Sequence, residues 1–214
     1  EEHAQIDNQR YRTTSFEYGL FDGNNISCWL SNDGLIVTFR KTGNSGMEWP
    51  KASGKTIDYC SGLWIIGKSP DGDVCTACAQ YSSEFQPGII LSNGAPDDPS
   101  RPLYRIYKIN SDGTGDWDEW PFDIGAPALK AKDGSDSLDA NGLKIPRLVG
   151  DQTIWWVMND GDEAAHNNIF ATKPLGIEVR VLIYGYNHEP LSDVMFIEWT
   201  LKNKSAIDYD SLYV

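Results

Sequence analysis

The chain predicts an all-β fold, an antiparallel β-sandwich-like module with long Gly-, Pro- and Asp-rich loops, and three observations carry that expectation. Residues 150–160 (GDQTIWWVMND) place Thr153, Trp155 and Val157 on one face of a strand and Ile154, Trp156 and Met158 on the other. Both faces are apolar, so this strand belongs in the middle of a sheet that is covered on both sides. Two further strand signals follow it, residues 177–186 (IEVRVLIYGY) and 194–202 (VMFIEWTLK), and together the three form the spine of one sheet. Finally, no window repeats apolar residues at i, i+3, i+4 and i+7 between capping signals, which leaves little room for helix.

Before the spine, residues 1–24 are expected to be an N-terminal arm or linker, because the first dozen, EEHAQIDNQRYR, are polar and unpatterned. A single β-rich domain is expected over 25–214. Residues 26–31 alternate and are followed by 35–39 (LIVTF) across Asn32-Asp33-Gly34, which reads as a hairpin. Residues 43–55 form a loop anchored by Trp49 and Pro50. The strands at 61–66 and 74–85 are joined across Ser69-Pro70-Asp71-Gly72. Pro96, Pro99 and Pro102 interrupt regular structure, 104–109 (YRIYKI) is a short strand, and 110–149 is an acidic connection long enough to have its own task. After a turn at 202–205, residues 208–214 begin a strand that leaves an open edge or is completed beyond Val214.

Six blocks carry a resemblance: GNSGMEWPKASGK, SGLWIIGK, AQYSSEFQPG, GDQTIWWVMND, PLGIEVRVLIYGYN and SDVMFIEWTLKNKS. In this order they resemble the N-terminal regions of large secreted, mostly uncharacterised bacterial proteins that usually end in a type IX secretion sorting domain. The resemblance spans residues 25–214. It implies an extracellular or cell-surface module, exported at the front of a longer polypeptide, and it supplies no catalytic residue. The chain departs from the pattern in its cysteines.

The net charge of −13, with 31 acidic against 18 basic residues, argues against nucleic acid and against an anionic membrane as partners. No apolar run is long enough to span a bilayer, so membrane insertion is not expected. The opening at Glu1 without Met is expected of a mature, processed chain, and an artificially trimmed chain would open the same way. Acidic loops favour cations instead. Asn110, Asp112, Asp116 and Asp118 offer oxygen ligands around Gly113 and Gly115, and Asp133, Asp136, Asp139 and Asn141 form a second candidate calcium loop. Neither has the regular Asp-x-Asp-x-Asp-Gly order with a closing Glu, so the competing reading is that these residues stabilise turns. Asp160, Asp162 and Glu163 near His166 make a third acidic group.

Cys28, Cys60, Cys75 and Cys78 suggest disulfides in an exported chain, with three pairings open and Cys28–Cys60 with Cys75–Cys78 favoured. Against the second bridge, Cys75 and Cys78 point to opposite faces of a strand. The C-x-x-C spacing also admits a zinc or redox reading, while Ala79 excludes haem attachment. For catalysis, His3, His166 and His188 are scattered, and Glu178 and Glu198 offer a carboxylate pair for glycoside hydrolysis. No phosphate loop, nucleophile elbow or His-Glu-x-x-His helix is present. Tyr107, Trp117 and Trp120 are candidates to stack on a sugar, whereas Trp49 and Trp64 are expected to plug loops onto the core.

Three functions follow as expectations. The first is a non-catalytic structural, adhesion or assembly module contacting other domains of the same polypeptide or identical subunits. The second is a carbohydrate-binding module for an extracellular glycan, and the third is part of a secreted glycoside hydrolase.

Overall fold

The computed structural model describes residues 16–39, 42–166 and 169–214. In chain order the strands are β1 (Tyr18–Phe21), β2 (Ser27–Ser31), β3 (Thr38–Phe39), β4 (Asn44–Ser45), β5 (Met47–Glu48), β6 (Thr56–Asp58) and β7 (Trp64–Lys68). They continue with β8 (Val74–Cys78), β9 (Gln86–Pro87), β10 (Tyr107–Asn110), β11 (Gln152–Asn159), β12 (Ile177–Gly185), β13 (Met195–Asn203) and β14 (Ser211–Tyr213). Among the described residues there are also one short helix, α1 (Glu163–His166), and two 3₁₀ turns.

All paired strands run antiparallel. The central sheet has the order β10-β11-β12-β13, with β9 also paired to β11. Two smaller sheets, β1-β2-β5-β6 and β14-β7-β8, supply the other layer of the sandwich, and β3 and β4 form a ribbon. The fold is the expected all-β one, and the three spine strands are neighbours as expected.

The double-tryptophan strand explains the layering. All eight residues of β11 are buried. Ile154, Trp156 and Met158 enter the main core with Val179, Val181 and Ile183 of β12 and with Phe21, Leu30 and Ile65 from the smaller sheets. Trp155 and Val157 enter a second core on the opposite face, with Tyr104, Tyr107, Ile109, Trp120 and Ile124. The long connection therefore has a structural task, which is to cover the second face of the central sheet. Burying each such large apolar side chain contributes roughly 1.5–3 kcal/mol before the entropy of ordering it is subtracted.

Part of the predicted N-terminal arm is strand. Residues 18–21 form β1 and pair with β2 from Tyr18↔Ser31 to Phe21↔Cys28, and Phe21 is fully buried. Strand β1 lacks the alternation that marks its neighbours because only Phe21 of its four residues points into the core. Residues 1–15 of that arm lie outside the described residues.

The Asp-Gly and Asn-Gly pairs build one local structure six times. In Ser31–Leu35, Ser69–Asp73, Leu91–Ala95, Asn110–Thr114, Ala131–Ser135 and Asp139–Leu143, the first residue's N–H donates to the fifth residue's carbonyl. Its own carbonyl accepts from the fourth residue, always glycine, at φ between +80° and +95°. This is a type I turn closed by a left-handed residue, and glycine at that position avoids a Cβ clash. The last two turns link three short segments whose backbones close on themselves: Leu129 N–H donates to the carbonyl of Ile145, Ile145 N–H to that of Ser137, and Ser137 N–H to that of Leu129.

Candidate functional site

The predicted calcium ligands are occupied by donors of the protein. Asp112 Oδ1 accepts from the backbone and hydroxyl of Thr114 at 2.9 and 2.6 Å, and Asp133 Oδ1 does the same for Ser135 at 3.0 and 2.6 Å. Asp139 Oδ1 accepts from Asn141 and Leu143, both at 2.8 Å. Asp116 bridges Arg105 at 2.9 Å and takes the Lys108 N–H at 2.7 Å. Asp136 pairs with Lys130 and Lys144. Asn110 holds Gln152 and Thr114, and Asp118 is exposed. These hydrogen bonds hold the carboxyls of Asp112, Asp133, Asp136 and Asp139 below the usual carboxylate range. The loops behave as turns whose Asx side chains cap their own backbone. Among the described residues, no three His, Cys, Asp or Glu side chains converge as a metal site would require.

The predicted sugar-stacking residues are inside. Tyr107 and Trp120 are buried in the second core, where both lie near Trp155 with ring centroids 6.4 Å away. The Tyr107 hydroxyl donates to the Leu103 carbonyl and the Trp120 indole to that of Pro127, each at 3.0 Å. Trp117 packs beside them, half-buried. Tyr107 and Trp120 are closed off from a sugar, because Tyr107 faces the second core from β10 and Trp120 lies in the connection that covers that face.

The cysteines are corrected as well. All four are free thiols. Cys75 points into the main core, whereas Cys78, three residues along the same strand, points to the other face, so the strand's alternation keeps them apart. Cys28 is buried within β2 and Cys60 is half-buried after β6. Burial pushes the Cys28 and Cys78 thiols up to about 12.

Of the titratable candidates, Asp160 and His166 do meet. Both side chains are fully buried, with Nδ1 of His166 3.8 Å from Asp160 Oδ2. Asp160 receives the N–H groups of Leu175 and Ile177, each at 2.6 Å, and His166 Nε2 lies 3.1 Å from the Thr172 hydroxyl. Burial raises Asp160 to about 6 and lowers His166 to about 4. Together they pin residues 172–177 against β8 and β11. Asp162 accepts from Ala165 N–H and caps α1, where Glu163 is the first residue. His188 stands apart against Tyr186, and His3 lies outside the described residues. Glu178 and Glu198 project from adjacent strands, but the register sets Glu178 opposite Lys202 and Glu198 opposite Leu182. That stagger of four residues separates them by about 13 Å along the sheet at roughly 3.3 Å per residue, beyond the spacing of a glycosidase pair. Glu178 is buried and held by Arg180 at 3.1 Å and the Ile90 N–H at 3.2 Å.

What sequence reasoning missed is the outer face of the β14-β7-β8 sheet. Trp64, expected to be a plug, is 44% exposed, and Ile66, two residues on, is exposed beside it. Tyr213 sits directly across from Ile66 and is 68% exposed. Phe170 meets Trp64 edge to face, with centroids 5.7 Å apart and planes at 70°. The signal was present in the sequence: with Leu63 and Ile65 facing the core, strand alternation turns Trp64 and Ile66 outward. Trp49 is likewise exposed and donates to Asp193 at 2.9 Å. A cleft of about 460 Å³ lies elsewhere, between Asn93, Pro174 and Ser205, with Lys204 on its wall committed to Glu178 and the Ile90 carbonyl.

Among the described residues, no helix is long and apolar enough to cross a membrane. The chain matches no protein-family model, no curated protein and no solved structure.

Proposed function

We propose that this chain is a non-catalytic module of an exported protein, acting in surface structure, adhesion or assembly and meeting partners through the outer face of the β14-β7-β8 sheet. The observation that carries the reading is the row of Trp64, Ile66 and Tyr213, apolar side chains exposed together on a regular sheet, with Phe170 of the neighbouring connection against Trp64. Contiguous exposed apolar groups of this kind mark contact surfaces, and strands hold them in place with little further ordering on binding. The resemblance to front modules of large secreted proteins supports export, and calcium enters only as a stabiliser of the acidic turns. A second reading, carbohydrate binding, is favoured by Trp64, an indole 44% exposed on a sheet face, as stacking on a sugar ring requires.

The test is light scattering on the eluting protein in calcium and in chelator, beside a glycan array probed with the parent chain and with Trp64→Ala and Tyr213→Ala. Self-association or partner binding lost in these variants supports the module reading, and glycan binding lost in Trp64→Ala selects the second. A monomer that ignores chelator and binds no glycan refutes both.

A further inference from the structure

Several strand edges are covered or interrupted by other parts of the chain. Along β8 the outward N–H of Thr76 is taken by the Thr172 hydroxyl at 3.0 Å, and that of Cys78 by buried Glu84 at 3.0 Å. Beside β10 a returning hairpin limb supplies the Ile109↔Gly115 bridge and the Asp116 N–H to the Lys108 carbonyl. Strand β9 is two residues long and ends in proline. By contrast β13 is nine residues long, regular, and paired on one side only. Lys204 N–H donates to the Gly176 carbonyl just past the Ile177↔Asn203 pair. That sets the phase of the ladder: Met195, Ile197, Trp199, Leu201 and Asn203 turn their N–H and carbonyl groups away from β12. Among the described residues, no hydrogen bond reaches these outward groups. An edge so long and regular is a template for another strand.

The sequence of the edge says which strand fits. Around Thr200 it reads Glu198-Trp199-Thr200-Leu201-Lys202, a pattern whose charges are opposite at equal distance from the centre. We propose that two copies of this chain pair antiparallel through β13 about a two-fold axis at Thr200, joining their central sheets into one. In that register Glu198 of each copy faces Lys202 of the other, and Trp199 faces Leu201. Each copy offers outward backbone groups at Ile197, Trp199, Leu201 and Asn203 to the other, in the phase that forms hydrogen-bonded pairs. The apolar sides of Ile197, Trp199 and Leu201, half-exposed because no strand lies beyond them, become covered. Lys202 gains a close carboxylate: among the described residues it makes no ion pair, and burial and the neighbouring Arg180 guanidinium lower its pKa despite Glu178 across the strand. Among the described residues Glu198 meets one cation, Arg147, at 3.6 Å with both side chains part-exposed, so it can turn to a second. Neighbouring registers lose this match, since centring the pair on Trp199 puts Phe196 against Lys202 and Glu198 against Thr200. The inference rests on the assembly reading and adds to it a second contact surface, the β13 edge, apart from the outer face of the β14-β7-β8 sheet.

The experiment is sedimentation velocity over a concentration series with the full chain, its Glu198→Lys and Lys202→Glu variants, and their equimolar mixture. The expected result is a dimer for the parent and a dissociation constant at least about tenfold weaker for each variant alone, since each puts like charges opposite twice. Mixing the two variants restores the dimer, because each supplies the charge that the other needs, and this also shows that both variants are folded. As an independent check of register, Thr200→Cys crosslinks on oxidation relative to the parent, since residues facing across a non-hydrogen-bonded pair lie about 4.5 Å apart at Cα, within disulfide reach. Association that ignores both charge variants overturns the β13 interface while leaving the assembly reading standing. A parent chain that stays monomeric at every concentration overturns both.

Discussion

Replacing His166 or Asp160 tilts the pH dependence of stability, in opposite directions for the two residues. His166 is held neutral by burial, its pKa lowered from 6.5 to about 4. The unfolded chain therefore binds more protons between pH 6.5 and 4, so this group's contribution is complete above pH 6.5 and lost as pH falls through 4. Asp160 is raised from 3.8 to about 6 by burial. Here the folded chain binds more protons between pH 3.8 and 6, so the contribution is complete below 3.8 and lost as pH rises through 6. At about 1.4 kcal/mol per pKa unit, each displacement amounts to about 3 kcal/mol, and across pH 4–6 the two nearly cancel. In His166→Gln the Asp160 contribution is left alone, and stability relative to the parent declines by about 3 kcal/mol from pH 4 to 6. In Asp160→Asn the relative change runs the other way, with stability rising by a similar amount from pH 4 to 6.5. Urea denaturation at pH 4, 5, 6 and 7, followed by tryptophan fluorescence, reads these slopes as differences from the parent. The reverse pair of slopes refutes the reasoning, for it means that Asp160 and His166 are buried as a charged pair, each favouring the other's ionised form.

Three other outcomes are expected. Trp120→Phe costs about 1–3 kcal/mol more than Trp156→Phe in urea denaturation, because the Trp120 indole satisfies the Pro127 carbonyl, whereas the buried Trp156 Nε1 has no hydrogen-bond partner among the described residues; equal losses would contradict this. Gly134→Ala costs about 1 kcal/mol, from its φ of +86° alone, since an added methyl meets open space there. Gly115→Ala costs more than twice that, because its Cβ would lie 2.2 Å from the Lys108 carbonyl oxygen, and thermal denaturation of the two variants orders them. With a thiol reagent on the native chain, half-exposed Cys60 reacts first while Cys28 and Cys78, pushed up to about 12, stay protected until unfolding; mass mapping that finds Cys78 labelled as quickly as Cys60 would count against the buried placement.

Alternation made much of the fold legible. Residues 153–158 divide between two cores as their pattern dictates, and the hairpin turns at Asn32-Asp33-Gly34 and Asp71-Gly72 stand where turn chemistry places them. The site was harder, because it depends on what lies across space. Trp117 and Trp120 sit in a polar, proline-bearing stretch, and nothing local announces that this stretch folds back over the sheet and buries them. Likewise the acidic residues of residues 110–149 have calcium-like spacing, but the same spacing serves Asx turns, and only the positions of the backbone donors separate the two. The exposed Trp64 was readable from its neighbours Leu63 and Ile65, yet a tryptophan in an apolar run is readily assigned to the core on hydrophobicity alone.

The backbone triangle of Leu129, Ser137 and Ile145 bears on how the chain finds its fold. Strand β10 meets β11 only after residues 111–151 have been looped out, and the entropy of closing a loop grows with the length of free chain it contains. The triangle's three hydrogen bonds span eight to sixteen residues, far less than the looped segment, so it can gather before the strands meet and shorten the free chain that remains to be closed. A disruption there would then slow formation of the central sheet from a distance, while leaving every residue of that sheet unchanged.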